Sequence, residues 1–146
     1  AVTTVVGNED GSIGLGRASG KLVRPTIGKS IDKAKMNLIE IRRGSGSWES
    51  TTSEPNSLPF AVTGRCSSTR VTLKPAPPGV GLVTNQVGRI MLGMAGIKDV
   101  WSFSKGQTKT IYNFANAVFI ALKKTSTICI LAGQEEEKNI IQGARK

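Results

Sequence analysis

KPAPPGVGLV, at residues 74–83, is the segment from which the fold of the chain can be inferred. Upstream of it, residues 70–73 alternate polar and apolar side chains, which is typical of a strand with one buried face. The strand should end at Pro75, because proline lacks the N–H that a sheet ladder needs. Downstream, Thr84 or Asn85 can cap a helix. The apolar positions of that helix would be Val87, Ile90, Met91 and Met94.

The glycines of this segment allow two interpretations. Gly79 and Gly81 tolerate positive φ and close backbone approach, and the helix N-terminus behind them could bind a phosphate through its unpaired N–H groups. A Pro/Gly-rich connection between a strand and a helix is more commonly only a turn. Spacing alone does not decide between a turn and a phosphate site.

The charge balance indicates a polyanionic partner. The 146 residues include 20 Lys and Arg against 10 Asp and Glu, a net charge of +10, which suits nucleic acid or an acidic membrane surface. The 38% hydrophobic content can fill a core without metal or disulfide support. No apolar run approaches the roughly 20 residues that a membrane-spanning helix needs.

The residue types that usually hold metals or perform acid–base catalysis are scarce. The chain has no histidine and two cysteines, Cys66 and Cys129, too few for a zinc cluster or a disulfide framework. We expect two reduced, partly buried thiols and no cofactor or metal. A P-loop is rejected at residues 15–22, because Leu15 replaces its first glycine and Leu22 its Ser or Thr.

The first part of the chain predicts a β-β-α-β unit. Strands over residues 3–6 and 12–16 should form a hairpin through a turn at 7–11, a helix should begin near Pro25, and a strand should follow at 37–42. The apolar face of the helix would consist of Val23, Ile27, Ile31, Ala34 and Leu38. Gly28 in that helix either admits a close neighbour or is tolerated there.

A domain boundary is predicted at residues 44–57, which are rich in Gly, Ser and Thr and favour a linker. Trp48 in this segment could stack on a base, although packing against the neighbouring domain is the commoner role.

The second part predicts strands at 60–62, 69–73 and 97–103, with residues 64–68 between the first two. A basic, hydroxyl-rich loop at 104–110 is either a phosphate contact or a solvated loop. The apolar positions of a last helix would be Ala115, Val118, Phe119 and Leu122.

Taken together, these segments resemble the small-subunit ribosomal protein S5 family in its archaeal and eukaryotic branch. GSWE at 46–49 and KDVW at 98–101 resemble archaeal members most. The other matching segments are 5–8, 14–16, 33–35 with Asn37, 42–44, 62–66, 75–77 with Gly79 and Gly81, 94–97 and 113–115. The resemblance covers residues 1–126 and leaves the rest of the chain without support.

The resemblance implies an α+β fold in two domains. Residues 1–46 would form a domain similar to a double-stranded-RNA-binding domain, which the β-β-α-β unit fits if a further strand precedes Ala1. Residues 47–57 would be a linker loop, 58–126 an α/β domain with a left-handed crossover, and 127–146 a tail.

The resemblance also implies a function without catalysis. Family members are structural constituents of the cytoplasmic small ribosomal subunit, bind its rRNA near the central pseudoknot and support subunit assembly and decoding accuracy. They contact small-subunit proteins four and eight, or the counterpart of the latter, and mRNA at its entry side. On this interpretation, the residues expected to contact rRNA phosphates are Arg17, Lys21, Arg24, Arg42, Arg43, Lys74, Lys105 and Lys109.

The chain departs from the family pattern at four positions. Relatives often carry cysteines and a histidine where this chain has Ser45, Ser50 and Asn56, so a metal clip is not expected here. Most relatives have a basic residue where this chain has Pro78, which removes one expected phosphate contact.

Two other functions are open to the sequence. A free RNA chaperone outside the ribosome would share the same charge. A small-molecule kinase could use the Gly79-Val80-Gly81 loop, but Leu82 and Val83 occupy the serine positions of such a phosphate loop, and acids that could assist phosphoryl transfer are sparse.

Overall fold

The computed structural model describes residues 1–9, 11–44, 57–58, 60–125 and 141–142, the last two by their backbone alone. Within these ranges the helices are α1 (Val23–Met36), α2 (Gln86–Met94) and α3 (Ile111–Lys124). The strands are β1 (Val2–Gly7), β2 (Ser12–Ala18), β3 (Ile39–Glu40), β4 (Arg42–Arg43), β5 (Val62–Cys66), β6 (Thr69–Pro75), β7 (Leu82–Val83), β8 (Val100–Lys105) and β9 (Ile141–Gln142). None of these helices is long and apolar enough to cross a bilayer.

The first sheet has the order β1-β2-β3, with antiparallel neighbours, and confirms the predicted hairpin. Among the described residues of its turn, Glu9 at 60° and Gly11 at 91° have positive φ. The Ser12 N–H donates to the Asn8 side-chain oxygen over 3.1 Å. The strand predicted at 37–42 is divided, because β3 pairs with β2 while β4 pairs with β9.

The face that helix α1 packs on this sheet agrees with the prediction only in part, because Ala34 is buried and Ile31 is half-buried. Its buried residues are Thr26, Ser30 and Ala34. The predicted apolar positions are largely outside, since Val23 is 69%, Ile27 39% and Leu38 47% exposed.

The glycines of β2 account for the face that α1 buries. A Cβ at Gly14 would meet the Ala34 carbonyl, and a Cβ at Gly16 would meet the backbone of Ala34 and the Ser30 carbonyl. The helix therefore lies directly on the strand backbone, and small side chains permit this approach. The buried hydroxyls are satisfied locally, because Thr26 donates to Leu22 O over 2.5 Å and Ser30 to Ile27 O over 2.8 Å.

The second sheet has the order β5-β6-β8-β7. Strands β5, β6 and β8 are antiparallel, and β7 is parallel to β8 with α2 in the connection between them. Strand β6 confirms the prediction, since Thr69, Val71 and Leu73 are buried and the strand ends at Pro75. Strand β5 occupies 62–66, so 64–66 belong to the ladder, and the turn is limited to Ser67 and Ser68.

Helix α3 confirms the predicted last helix. It begins at Ile111, four residues before Ala115, the first apolar position predicted. Helix α2 was predicted with the right boundary but only part of the right face, because Ile90 is 54% exposed whereas Met91 and Leu92 are buried. Strand β8 starts three residues later than predicted and extends to Lys105.

One hydrophobic cluster joins the two sheets. It includes Ile13 and Ile41 from the first sheet region together with Leu73, Leu92 and Val118 from the second. The predicted linker loop at 47–57, with Trp48, lies outside the described residues except for Ser57. Ser57 exchanges two backbone hydrogen bonds of 2.8 and 3.0 Å with Gly44. The proposed domain boundary therefore stays a prediction, and the described parts on either side share a core.

The β1–β2 turn also contacts the end of α2 directly. The Glu9 N–H donates to Met94 O and the Gly11 N–H to Ala95 O, each over 2.9 Å. These bonds satisfy carbonyls that have no partner within the helix. The first sheet is thereby fixed to the second through backbone groups as well as through the shared core.

Two glycines with opposite surroundings make a paired test of this packing. We predict that Gly28→Ala raises the free energy of unfolding by up to about 1 kcal/mol, because alanine favours the helix and a Cβ there would meet nothing within 4 Å. We predict that Gly64→Ala lowers it by roughly 1–3 kcal/mol, because that Cβ would overlap the Ala117 carbonyl and Ala121 N of α3. Urea denaturation of both variants measures the difference, and effects of the same sign would contradict the packing described.

Candidate nucleic-acid interface

The Gly79-Val80-Gly81 turn is bonded to the protein's own groups. The Gly81 N–H donates to the Asp99 carboxylate over 2.8 Å, and Asp99 is only 6% exposed. The Asn85 side chain caps α2 by accepting from the Gly88 N–H over 2.9 Å. A buried carboxylate beside the loop would repel a phosphate. The geometry favours the turn interpretation and gives the phosphate hypothesis no support.

The same geometry weakens the kinase alternative. A phosphate loop uses its backbone N–H groups to hold the phosphates, whereas here the Gly81 N–H is bonded to Asp99. In the parts of the chain that the structure describes, no group of three metal-ligating side chains is present.

Six of the eight predicted phosphate contacts are exposed. They are Arg17, Lys21, Arg24, Lys74, Lys105 and Lys109. Arg42 is half-buried. These positions belong to the end of β2, the connection from β2 to α1, the start of α1, β4, β6, β8 and the loop after β8, so the cations are spread over both parts of the fold.

Arg43 is placed differently from the other seven. Only 6% of it is exposed, and its Nη1 atom lies 2.9 Å from where a Cβ on Gly96 would stand. Its guanidinium is thus packed beside the C-terminal end of α2, where a cation is favourable. This position gives no support to an rRNA contact by Arg43 and indicates a structural role.

Arg17 forms a basic pocket with residues that the sequence did not identify. Its guanidinium lies over the Tyr112 ring, 4.2 Å from the centroid. The pocket is about 350 Å³ in volume and is lined by Arg17, Ala18, Ser19, Lys33 and Tyr112. This contact restrains the position of the guanidinium. Its N–H groups can then donate to a phosphate, with Lys33 as a second cation.

No sequence pattern links Tyr112 or Lys33 to Arg17, because the three residues come from α3, α1 and β2. The periodicity of α3 identified only its buried positions, and Tyr112 is half-buried at the first turn. The one sequence signal for this contact is the position of Tyr112 at the edge of an apolar stripe. The tyrosine stands near the start of a helix with no acid in its first turn.

The loop predicted at 104–110 is anchored to the second sheet. The Thr69 hydroxyl donates to Gln107 O over 2.9 Å, while Lys105 and Lys109 remain exposed. Their ammonium groups are therefore available to solvent from a tethered segment.

Cys66 is a free, half-buried thiol, as predicted. The Asn116 amide donates to the Cys66 sulfur over 3.2 Å, and the Cys66 thiol donates to Asn113 Oδ1 over 3.7 Å. Cys129 lies outside the described residues, as do Ser45, Ser50 and Asn56.

Two protein-family models match the two parts of the chain. The model described as "Ribosomal protein S5, N-terminal domain" matches residues 1–42, and "Ribosomal protein S5, C-terminal domain" matches residues 64–134.

Several archaeal proteins named small ribosomal subunit protein uS5 are similar over most of the chain. That of Picrophilus torridus is 53% identical over 130 residues, which cover 89% of this chain and 59% of the relative. That of Thermoplasma volcanium is 52% identical over 133 residues, covering 91% and 60%. That of Methanocaldococcus jannaschii is 45% identical over 141 residues, covering 97% and 65%. The chain thus spans about three fifths of the length of these relatives, and together with the two domain matches and the observed α+β fold this shows that it belongs to the ribosomal protein S5 family.

Proposed function

We propose that this chain is a structural constituent of the small ribosomal subunit that binds rRNA, is ribosome-bound in the cytoplasm and has no catalytic role. The observation that carries the proposal is the match of both parts of the chain to the S5 family. The surface supports it, because seven of the predicted contact cations are wholly or partly exposed.

The binding would be largely electrostatic. Each Lys or Arg that neutralises a phosphate releases condensed counterion, and this release supplies much of the affinity for nucleic acid. The proposed contacts are Arg17, Lys21, Arg24, Arg42, Lys74, Lys105 and Lys109. Since they come from both sheets, the chain would hold a folded RNA over an extended surface.

Further partners are proposed on the same basis. Contacts with small-subunit proteins four and eight, or their counterparts, are compatible with the apolar side chains that α1 leaves exposed, including Val23 at 69% and Met36 at 85%, since such side chains suit protein contacts. Contact with mRNA at its entry side would use the same cationic surface.

A free RNA chaperone is the remaining competitor for the same surface. Reconstitution separates the two functions: the labelled chain is added to small-subunit rRNA and proteins from an archaeon whose uS5 is similar, and the particles are separated by sedimentation. We expect the chain to cosediment with small subunits at stoichiometric amounts. Sedimentation only as free protein or free RNA complex at low ionic strength would overturn the ribosomal proposal.

Salt dependence tests the contact residues one at a time. We predict that Lys21→Gln and Arg24→Gln each weaken binding to a small-subunit rRNA transcript and reduce the slope of log affinity against log salt by about 1, because each removes one phosphate contact. Filter binding over a series of salt concentrations measures the slope. Lys98→Gln is the matched control, since Lys98 is exposed and outside the proposed set, and an equal change in its slope would contradict the assignment.

Arg43 and Arg24 should differ in their contribution to the stability of the fold. We predict that Arg43→Ala lowers the free energy of unfolding by about 2 kcal/mol or more, because truncating a buried side chain leaves a space. Arg24→Ala, at an exposed site, should change it by less than about 0.5 kcal/mol. Thermal and urea unfolding of the two variants provides the comparison, and a negligible effect at Arg43 would refute its structural role.

Tyr112 should act through Arg17. We predict that Tyr112→Leu weakens rRNA affinity by about two- to fivefold, the loss expected for an exposed cation–π contact of about 0.5–1 kcal/mol, while Tyr112→Phe retains the affinity. In the Arg17→Ala background, Tyr112→Leu should have little further effect. A full, additive loss in the double variant would show that the two residues act separately.

A further inference from the structure

The second sheet has one face against the core and one face in solvent. On β6, Thr69, Val71 and Leu73 are buried, while Arg70 and Lys74 are exposed. The described helices of this part cover the inner face, where α3 packs against β5 and β6. The outer face is therefore available to a partner.

Three cations form a row across that outer face. The strand register places Arg65 of β5 opposite Arg70 of β6, and Arg70 opposite Lys105 of β8. All three residues are exposed. Like charges directly opposite each other destabilise a sheet, so the row costs stability in the isolated chain. A polyanion bound over the row would remove that cost.

Two aromatic residues lie beside the row on the same face. Phe103 is opposite Thr72, and Trp101 is opposite Lys74. Phe103 is 57% and Trp101 37% exposed. Burying apolar surface is favourable, so a partner that covers these rings would gain free energy of binding. The Lys74 ammonium lies 4.7 Å from the Phe103 ring centroid. Since Trp101 and Phe103 are two positions apart on one strand, their side chains are separated by about 6–7 Å.

We propose that this face binds an unpaired RNA strand, with bases stacked on Phe103 and Trp101 and phosphates beside Arg65, Arg70 and Lys105. Aromatic side chains provide stacking platforms for unpaired bases, and a basic groove follows the backbone. A duplex would not fit as well, because its bases are already stacked on one another. The inference rests on the proposed function only in that the chain binds RNA, and it adds the state of the RNA and the residues that recognise it.

The charge of the face favours RNA over a protein partner. The positions just named include four cations, Arg65, Arg70, Lys74 and Lys105, and no acid. The apolar part is limited to two rings, which is small for a stable protein interface. Two rings beside a row of cations on one sheet face suit a strand of nucleotides, which carries bases and phosphates on different sides.

The test uses the whole chain and a fluorescent oligoadenosine of about ten nucleotides, within the roughly 4–16 nucleotides that single-stranded sites span. We expect Phe103→Leu and Trp101→Leu each to weaken its binding about tenfold, as expected for the loss of one stacked base. Phe103→Tyr, which keeps the ring, should bind as the parent chain does. Ile111→Ala is the control for loss of an exposed apolar side chain elsewhere, since Ile111 is 66% exposed. Thermal unfolding of each variant establishes that the fold is retained.

A hairpin duplex and a small-subunit rRNA transcript complete the experiment. Weakening of oligoadenosine binding with unchanged hairpin binding supports the inference. Equal losses for oligoadenosine and hairpin, or no loss for either, overturn it. If the leucine variants bind all RNAs normally but fail to join small subunits, the face contacts a protein and the inference is again overturned. Failure of the parent chain to bind the rRNA transcript would instead refute the proposed function.

Discussion

The fold depends on the contact between the β1–β2 turn and the end of α2. A helix leaves its last carbonyls without partners, and the N–H groups of Glu9 and Gly11 supply two of the missing donors. Close backbone approach is possible because Gly7 and Gly96 have no side chains at the contact. The shared hydrophobic cluster then forms around this joint. A chain built from two family domains thus carries exposed cations from both parts around one shared core.

Packing by small residues has a second effect on the surface. Because α1 uses Thr26, Ser30 and Ala34 to lie on β2, its long side chains remain available to solvent. These include Arg24, Lys29, Lys33 and Lys35, all exposed, and Lys33 reaches the pocket around Arg17. Long apolar residues on the packed face would have moved the helix away from the strand. The close approach therefore helps to position the cations that make the surface basic.

Much of the fold followed from local patterns. The alternation at 70–73, the end of β6 at Pro75, the first hairpin and the stripe of α3 were correctly predicted, because each is determined within its own element. The sequence offered Thr84 or Asn85 as the cap of α2, and the structure selects Asn85. The buried face of α1 was predicted correctly only at Ala34, since it is decided by glycines of β2 that a helical periodicity does not contain. The site was less predictable. Exposed lysines were identified by charge, but nothing local shows that Arg43 is buried against α2 or that Tyr112 meets Arg17, because both contacts join distant parts of the chain.

The strand β4 has a consequence for the order of events during synthesis. Its partners lie far along the chain: the Arg42 N–H donates to the Thr125 hydroxyl over 3.1 Å, and Arg42 and Arg43 pair with Gln142 and Ile141. Contacts between such distant residues form late, because a long loop must close first. As the nascent chain emerges, the hairpin and α1 can assemble early, whereas β4 can pair with β9 only after residues 141–142 have been translated. The completed strand pair thus marks a polypeptide whose translation has passed residue 142.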